Sequence, residues 1–266
     1  MSKKRVQYNI QDGVAHVRMT RPDKSNALDG AMFDALIDAG RQLSGTKGVR
    51  AVVLSGEGRG FCAGIDMGVL ADMAQGSIAG VRDLVPRTHG ISNRFQYAAW
   101  VWRELPVPVI AAIHGFALGG GFEVALGADM RYMTPEAKLS VMEVRWGLVP
   151  DMGATQLMRH LAREDVVREL SYTGRIFNGA EALSHGLATR LSDDPIQMAV
   201  EMAREIADKS PDAVRALKRL FNEAVVSLPE AGLIAETVEQ QALVGSRNQM
   251  ETVIADREKR KAVFID

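Results

Sequence analysis

Three carboxylates in this 266-residue chain stand where a carboxylate is costly: Glu123, Glu143 and Asp151. Glu123 follows three consecutive glycines, Gly119-Gly120-Gly121, and precedes the small run Val124, Ala125, Gly127 and Ala128, which suits a tightly packed helix. Glu143 follows Leu139, Val141 and Met142, and Asp151 follows Leu148-Val149-Pro150. An unpaired buried carboxylate is strongly disfavoured, so each needs a partner or a purpose. Taken singly, each reads as a cap or a backbone-bonded acid, and Asp151 precedes a predicted helix that it could cap. Taken together, beside glycine turns able to present free backbone N–H groups, they read as proton-moving groups next to a seat for developing negative charge.

Other chemistries fit less well. Gly56-Glu57-Gly58-Arg59-Gly60-Phe61 follows a predicted strand but lacks the third glycine in register for a dinucleotide loop. No Gly-Lys-Ser/Thr follows Gly119-Gly120-Gly121, which removes a phosphate-loop reading. Cys62 has no neighbouring base, so it reads as a small buried hydrophobe rather than a nucleophile. His114 ends a predicted strand and reads as structural. His89, His160 and His185 are scattered, without metal-ligand spacing.

The elements that must position these groups are legible in outline. Val6–Ile10 and Val14–Met19 flank Asp12-Gly13, a hairpin signal. Asp29 is placed as the N-cap of a helix with Phe33, Leu36, Ile37, Gly40 and Leu43 on one face. Ala51–Leu54 reads as a buried strand that runs into the glycine-rich stretch ending Phe61-Cys62-Ala63-Gly64-Ile65-Asp66. Residues 67–90 show no sustained period and read as an irregular segment that could line a pocket. Ile91, Phe95, Ala98, Trp102 and Leu105 lie at helical spacing, and an apolar strand from Val107 leads to the glycine triplet. Met130–Met133 and Leu139–Val141 read as strands, and helices are predicted near 154–162, 164–172 and 179–186. Beyond Pro195 the pattern is helical: Ser210-Pro211 opens one helix, a second covers 229–245, and a third carries 251–261. The reading is an α/β body over 1–195 with a helical region over 196–266.

Composition sets the remaining bounds. The apolar fraction is 47% and the formal net charge −1, so a large core is expected and nucleic acid or a membrane surface is not. One cysteine excludes an internal disulfide framework. No apolar leader follows Met1-Ser2-Lys3-Lys4-Arg5, no apolar run reaches spanning length, and Val263-Phe264-Ile265-Asp266 is not a peroxisomal signal. A cytoplasmic protein is expected.

The chain resembles the crotonase, or enoyl-CoA hydratase/isomerase, superfamily. The resemblance rests on Arg21-Pro22 with Asn26-Ala27-Leu28, on Phe61-Cys62-Ala63-Gly64-Ile65-Asp66, and on Pro108–Gly115 with Gly119-Gly120-Gly121. Tyr172-Thr173-Gly174-Arg175 and Ala182 with Gly186-Leu187 complete it, in order along nearly the whole chain. It implies a spiral of strand–strand–helix units whose C-terminal helices build a homotrimer, or a hexamer of paired trimers. It implies an acyl-CoA thioester substrate, with coenzyme A part of the substrate and no separate cofactor or metal. The backbone amides of Ile65 and Gly120 would hold an enolate oxyanion. Ala63, Asp66 and Gly119 would contact substrate, with Lys24 a candidate for the phosphates, although a lysine there is more often simply solvated.

Positions 123 and 143 match the two acid/base glutamates of the hydratases, which hold a water between them. Hydratases carry glycine where this chain has Asp151, and an acid there resembles the Δ3,5-Δ2,4-dienoyl-CoA isomerases. In that arrangement Glu143 and Asp151 move protons and Glu123 supports one of them; those isomerases usually have Asp at 123. The reading leans to the isomerase, with 2-enoyl-CoA hydration as the alternative and a non-catalytic acyl-CoA-binding trimer as a third. A dehalogenase-like use of Asp151 as nucleophile is disfavoured by the two glutamates. Phe95, Trp100 and Trp102 either line the acyl pocket or, more in keeping with their helical setting, pack in the core.

Overall fold

The structure is a computed structural model that describes residues 4–74 and 84–266. Strands β1 (Val6–Gln11) and β2 (Val14–Met19) pair antiparallel through Asp12 and Gly13, both at positive φ, as a primed hairpin turn requires. The side chain of Asp29 accepts from the Met32 amide and starts α1 (Gly30–Ser44), whose apolar stripe is buried. Strand β3 (Ala51–Gly56) is buried on both faces, and α2 (Met67–Ala74) follows the glycine-rich turn. Next come α3 (Arg94–Glu104), β4 (Val109–Ile113), β5 (Phe116–Leu118), α4 (Gly120–Leu126), β6 (Met130–Met133) and β7 (Lys138–Ser140). A 3₁₀ turn over Glu143–Trp146 precedes α5 (Ala154–Met158), α6 (Glu164–Thr173), α7 (Gly179–Ser184) and β8 (Arg190–Leu191). The chain closes with α8 (Pro195–Ala207), α9 (Pro211–Ala224), α10 (Pro229–Leu243) and α11 (Arg247–Arg257).

The large sheet has the order β1-β2-β3-β4-β6-β8, parallel beyond its first hairpin, and β5 pairs with β7 in a small parallel sheet. Alternation along the strands divides the core. Val17, Met19, Val52, Leu54, Val109 and Ala111 join the helices α1, α3 and α4 on one face. Val14, Ala51, Val53, Ile110 and Ala112 meet Ala199, Ala203 and Ala207 of α8 on the other. The first helix beyond residue 195 is thus the second cover of the sheet, and its small residues let it lie close against the strands.

Two local expectations change. The stretch read as irregular opens with α2, because its start is capped from outside the apolar pattern: Asp66 Oδ1 accepts from the Gly68 amide (2.9 Å). Its middle, 75–83, lies outside the described residues. Helix α3 starts at Arg94 behind an Asn93/Gln96 capping box, so Ile91 lies before it and is exposed. In α9, Leu217 is 51% and Phe221 70% exposed, a stripe that the described chain leaves uncovered. No helix among the described residues is long and apolar enough to cross a membrane.

Candidate active site

Two short parallel stretches build the site. Cys62 bridges to Ala117 of β5, with the Leu118 amide donating to Cys62 O (3.0 Å) and the Cys62 amide to Phe116 O (3.2 Å). The turns that follow, Ala63-Gly64-Ile65 and Gly119-Gly120, therefore leave side by side in one direction. Their closeness demands glycine. Gly64 sits at φ +87°, and a Cβ there would stand 2.5 Å from Leu118 O. Gly119 sits at φ 50°, ψ −129°, a region closed to side chains, with Glu143 Oε1 2.8 Å from where a Cβ would be.

The same packing aims two amides. Gly64 O accepts from the Leu28 amide (2.8 Å), and the Asp66 amide donates to Leu28 O (3.0 Å). In a trans peptide C=O and N–H point oppositely, so clamping Gly64 O to Leu28 turns the Ile65 N–H the other way. Gly120 opens α4, where a helix leaves its first amides unpaired. Neither the Ile65 nor the Gly120 amide has a backbone acceptor among the described residues, and both residues line one cavity of about 280 Å³.

All three acids line that cavity too. Glu123, on the first turn of α4, is 1% exposed, and its Oε2 accepts from the Met152 amide (2.8 Å). Burial first, then the facing Glu143 carboxylate and Asp151, push the Glu123 carboxyl far above the usual range. Glu143 is part-buried in the 3₁₀ turn, and burial is also the main cause of its upward shift. After burial, the Glu143 carboxylate is the main cause of the Glu123 shift, so the two glutamates titrate as a pair. Asp151 stands nearer the surface, and burial against the cavity wall raises its carboxyl. It caps nothing: α5 is capped by Gly153 without a side-chain hydrogen bond. Three carboxyls pushed up in one apolar cavity hold protons more tightly than free carboxyls do, as groups that move protons must.

Ala63 and Gly119 line the cavity, whereas Asp66 and Lys24 are not part of its wall. Asp66 is gripped by Arg21; burial raises its carboxyl, and the Arg21 and Gly68 hydrogen bonds more than offset this, leaving it below the usual range. Lys24 is exposed on a 3₁₀ turn over Pro22–Lys24. Of the aromatic residues, Phe95 reaches the cavity, Trp100 packs against the core and Trp102 is fully buried, its indole N–H donating to Ala98 O. His114 Nε2 donates to Gly58 O (2.9 Å), a structural role. Burial pushes the Cys62 thiol up to about 12, so it stays protonated and unreactive. Met152 was missed, because what it supplies is a backbone amide, which any residue type carries.

The burial of Glu123 has a stability consequence. A carboxyl raised in the folded state favours folding below its unfolded value, about 4.3 for glutamate, and loses that contribution as pH climbs through the folded value. Glu123→Gln keeps an acceptor for Met152 and cannot ionise. Its melting temperature is expected to exceed that of the parent at about pH 8, with the gap closing towards about pH 4; each kcal/mol moves it by about 2–4 °C at this size. Calorimetry across that range checks this, and a gap that grows on acidification contradicts it.

Comparison with known proteins gives the family. A family model described as enoyl-CoA hydratase/isomerase matches residues 9–266. The mitochondrial Delta(3,5)-Delta(2,4)-dienoyl-CoA isomerase of Rattus norvegicus is 37% identical over 218 residues, 79% of this chain and 66% of that protein. The match thus spans just under two thirds of that relative's length. The mitochondrial enoyl-CoA hydratase domain-containing protein 2 of Bos taurus is 32% identical over 95% of this chain and 84% of its own. The crystal structure of an enoyl-CoA hydratase from Bacillus anthracis superposes with a TM-score of 0.87 at 27% identity, covering 98% of each chain.

Proposed function

The chain belongs to the enoyl-CoA hydratase/isomerase family, and from that premise we propose that it is an enzyme converting a 3,5-dienoyl-CoA into the conjugated 2,4-dienoyl-CoA. The observation that carries this reading is Asp151 sharing one cavity with Glu143 and with the amides of Ile65 and Gly120.

The reaction removes a proton from C2, shifts both double bonds one carbon towards the thioester and adds a proton at C6. Loss of the C2 proton places charge on the thioester oxygen, where two fixed amides stabilise it; one such donor is worth about 3–4 kcal/mol. C2 and C6 lie four bonds apart, which suits two separate carboxyls. Glu143, against Gly119 and so beside the oxyanion seat, takes the C2 proton, and Asp151 delivers one to C6. Glu123 keeps the pair's shared proton and leaves Glu143 free to act as base.

One observation favours a second reading. Glu123 and Glu143 line the same cavity, and such a pair could hold a water for addition across a 2,3 double bond. The exposed apolar stripe on α9 supports an interface between copies of this chain, in the homotrimer or pair of trimers that the resemblance implies, and coenzyme A would arrive with the substrate. Supplying a 3,5-dienoyl-CoA and a 2-enoyl-CoA separately and following ultraviolet absorbance separates the readings. Rapid growth of the 2,4-diene band is expected; brisk loss of the 2-enoyl band with no diene formation sinks the isomerase and leaves the hydratase.

A further inference from the structure

Asp66 is as informative as the acids in the cavity. Arg21 Nη1 donates to Asp66 Oδ2 (2.6 Å) and to Ala27 O (3.1 Å). Ala27 immediately precedes Leu28, and Asp66 immediately follows Ile65. A single guanidinium nitrogen therefore ties together the two chains that the Leu28–Ile65 bridge joins. The same residue also holds the upstream end of the loop. Its backbone amide donates to Asn26 Oδ1 (2.9 Å), and Asn26 Nδ2 donates to Gly60 O and Phe61 O (both 3.1 Å).

This arrangement is built at a cost. Ser25 and Asn26 both sit at positive φ, 53° and 54°, a conformation that costs about 1–3 kcal/mol for a residue with a side chain. Side chains of Arg21 and Asp66 are only 12% and 19% exposed, so both charges are largely withdrawn from water and depend on their pairing. Arg5 takes Asp29 at 2.7 Å while Arg21 lies 3.5 Å from it, which leaves the Arg21 fork chiefly to Asp66. Charge-assisted hydrogen bonds are short and directional. They suit a part that must fix an angle, because an N–H bond weakens steeply as its alignment is lost.

We infer that the Arg21–Asp66 ion pair is a positioning device for the Ile65 amide: it holds the Leu28 bridge shut so that this N–H meets the oxyanion as charge develops. Neither residue lines the cavity. The inference rests on the oxyanion role proposed above for Ile65 and is independent of which double bond reacts.

Asp66→Asn tests it, since asparagine keeps an oxygen for the Gly68 amide but puts an NH2, which cannot accept, where Oδ2 takes the Arg21 hydrogen bond. The readouts are kcat, KM and the absorption of bound 4-dimethylaminocinnamoyl-CoA, a push–pull thioester that shifts to the red when its carbonyl is polarised. The expected result is a kcat lower by about tenfold or more, KM within about twofold, and a smaller red shift. Arg21→Lys, which keeps the charge without the fork, is expected to fall between and decides the matter if Asp66→Asn does not fold. A lower melting temperature with kcat and red shift unchanged overturns the positioning role and leaves a structural pair. A parent protein that binds the probe without any red shift overturns the oxyanion reading and this inference with it.

Discussion

Asp151→Asn is expected to lower turnover of a 3,5-dienoyl-CoA by about 10²–10⁴-fold while leaving any 2-enoyl-CoA hydration partly intact, measured by diene formation and enoyl loss in parallel. Asparagine matches aspartate in shape but cannot carry a proton to C6. The side chain stands near the surface and caps no helix, and burial already disfavours its charged form, so the melting temperature should not fall. The Glu123–Glu143 pair would survive, because Glu123 is anchored by the Met152 backbone rather than by the Asp151 carboxylate. If the substitution is silent in both assays, Asp151 has no part in proton transfer.

The second large effect is expected from Gly64→Ala, through backbone rather than proton chemistry. A methyl group there meets Leu118 O at 2.5 Å on a residue held at φ +87°. Backbone oxygen cannot swing aside as a side chain can, so the two turns must part. Strain and overpacking together are worth roughly 2–4 kcal/mol of stability. Displacing the Ile65 amide from the Gly120 amide should lower kcat by about 10²-fold or more. Melting temperature and kcat should fall together; a variant with the parent's kcat would show that the spacing of the turns is irrelevant to turnover.

The local parts of the fold were legible because they are written in neighbouring residues. Asp12-Gly13 between apolar runs, Asp29 before an apolar stripe and the all-apolar β3 appear as read. Helix α2 was not legible, since its cap is Asp66, a residue the sequence offered as a substrate contact. The partner of Asp66 lies 45 positions away at Arg21, and no spacing rule spans such a gap. Helix α8 read as the start of a tail, yet its alanines sit against the sheet, a contact that depends on which face the other helices leave open.

For the site the division is similar. The sequence alone determined the types of group present: three acids among apolar neighbours, and glycines at the two turns where a side chain would collide with a carbonyl or a carboxylate. Tertiary structure decided their relations. The parallel bridge between Cys62 and Ala117 laid the turns side by side. The Met152 amide took hold of Glu123 and left Glu143 and Asp151 the freer pair. Arg21 drew Asp66 away from the cavity wall. Residue type is local information, whereas proximity, burial and the direction of an N–H are set by chain segments far apart in sequence, and proton affinity follows from those three.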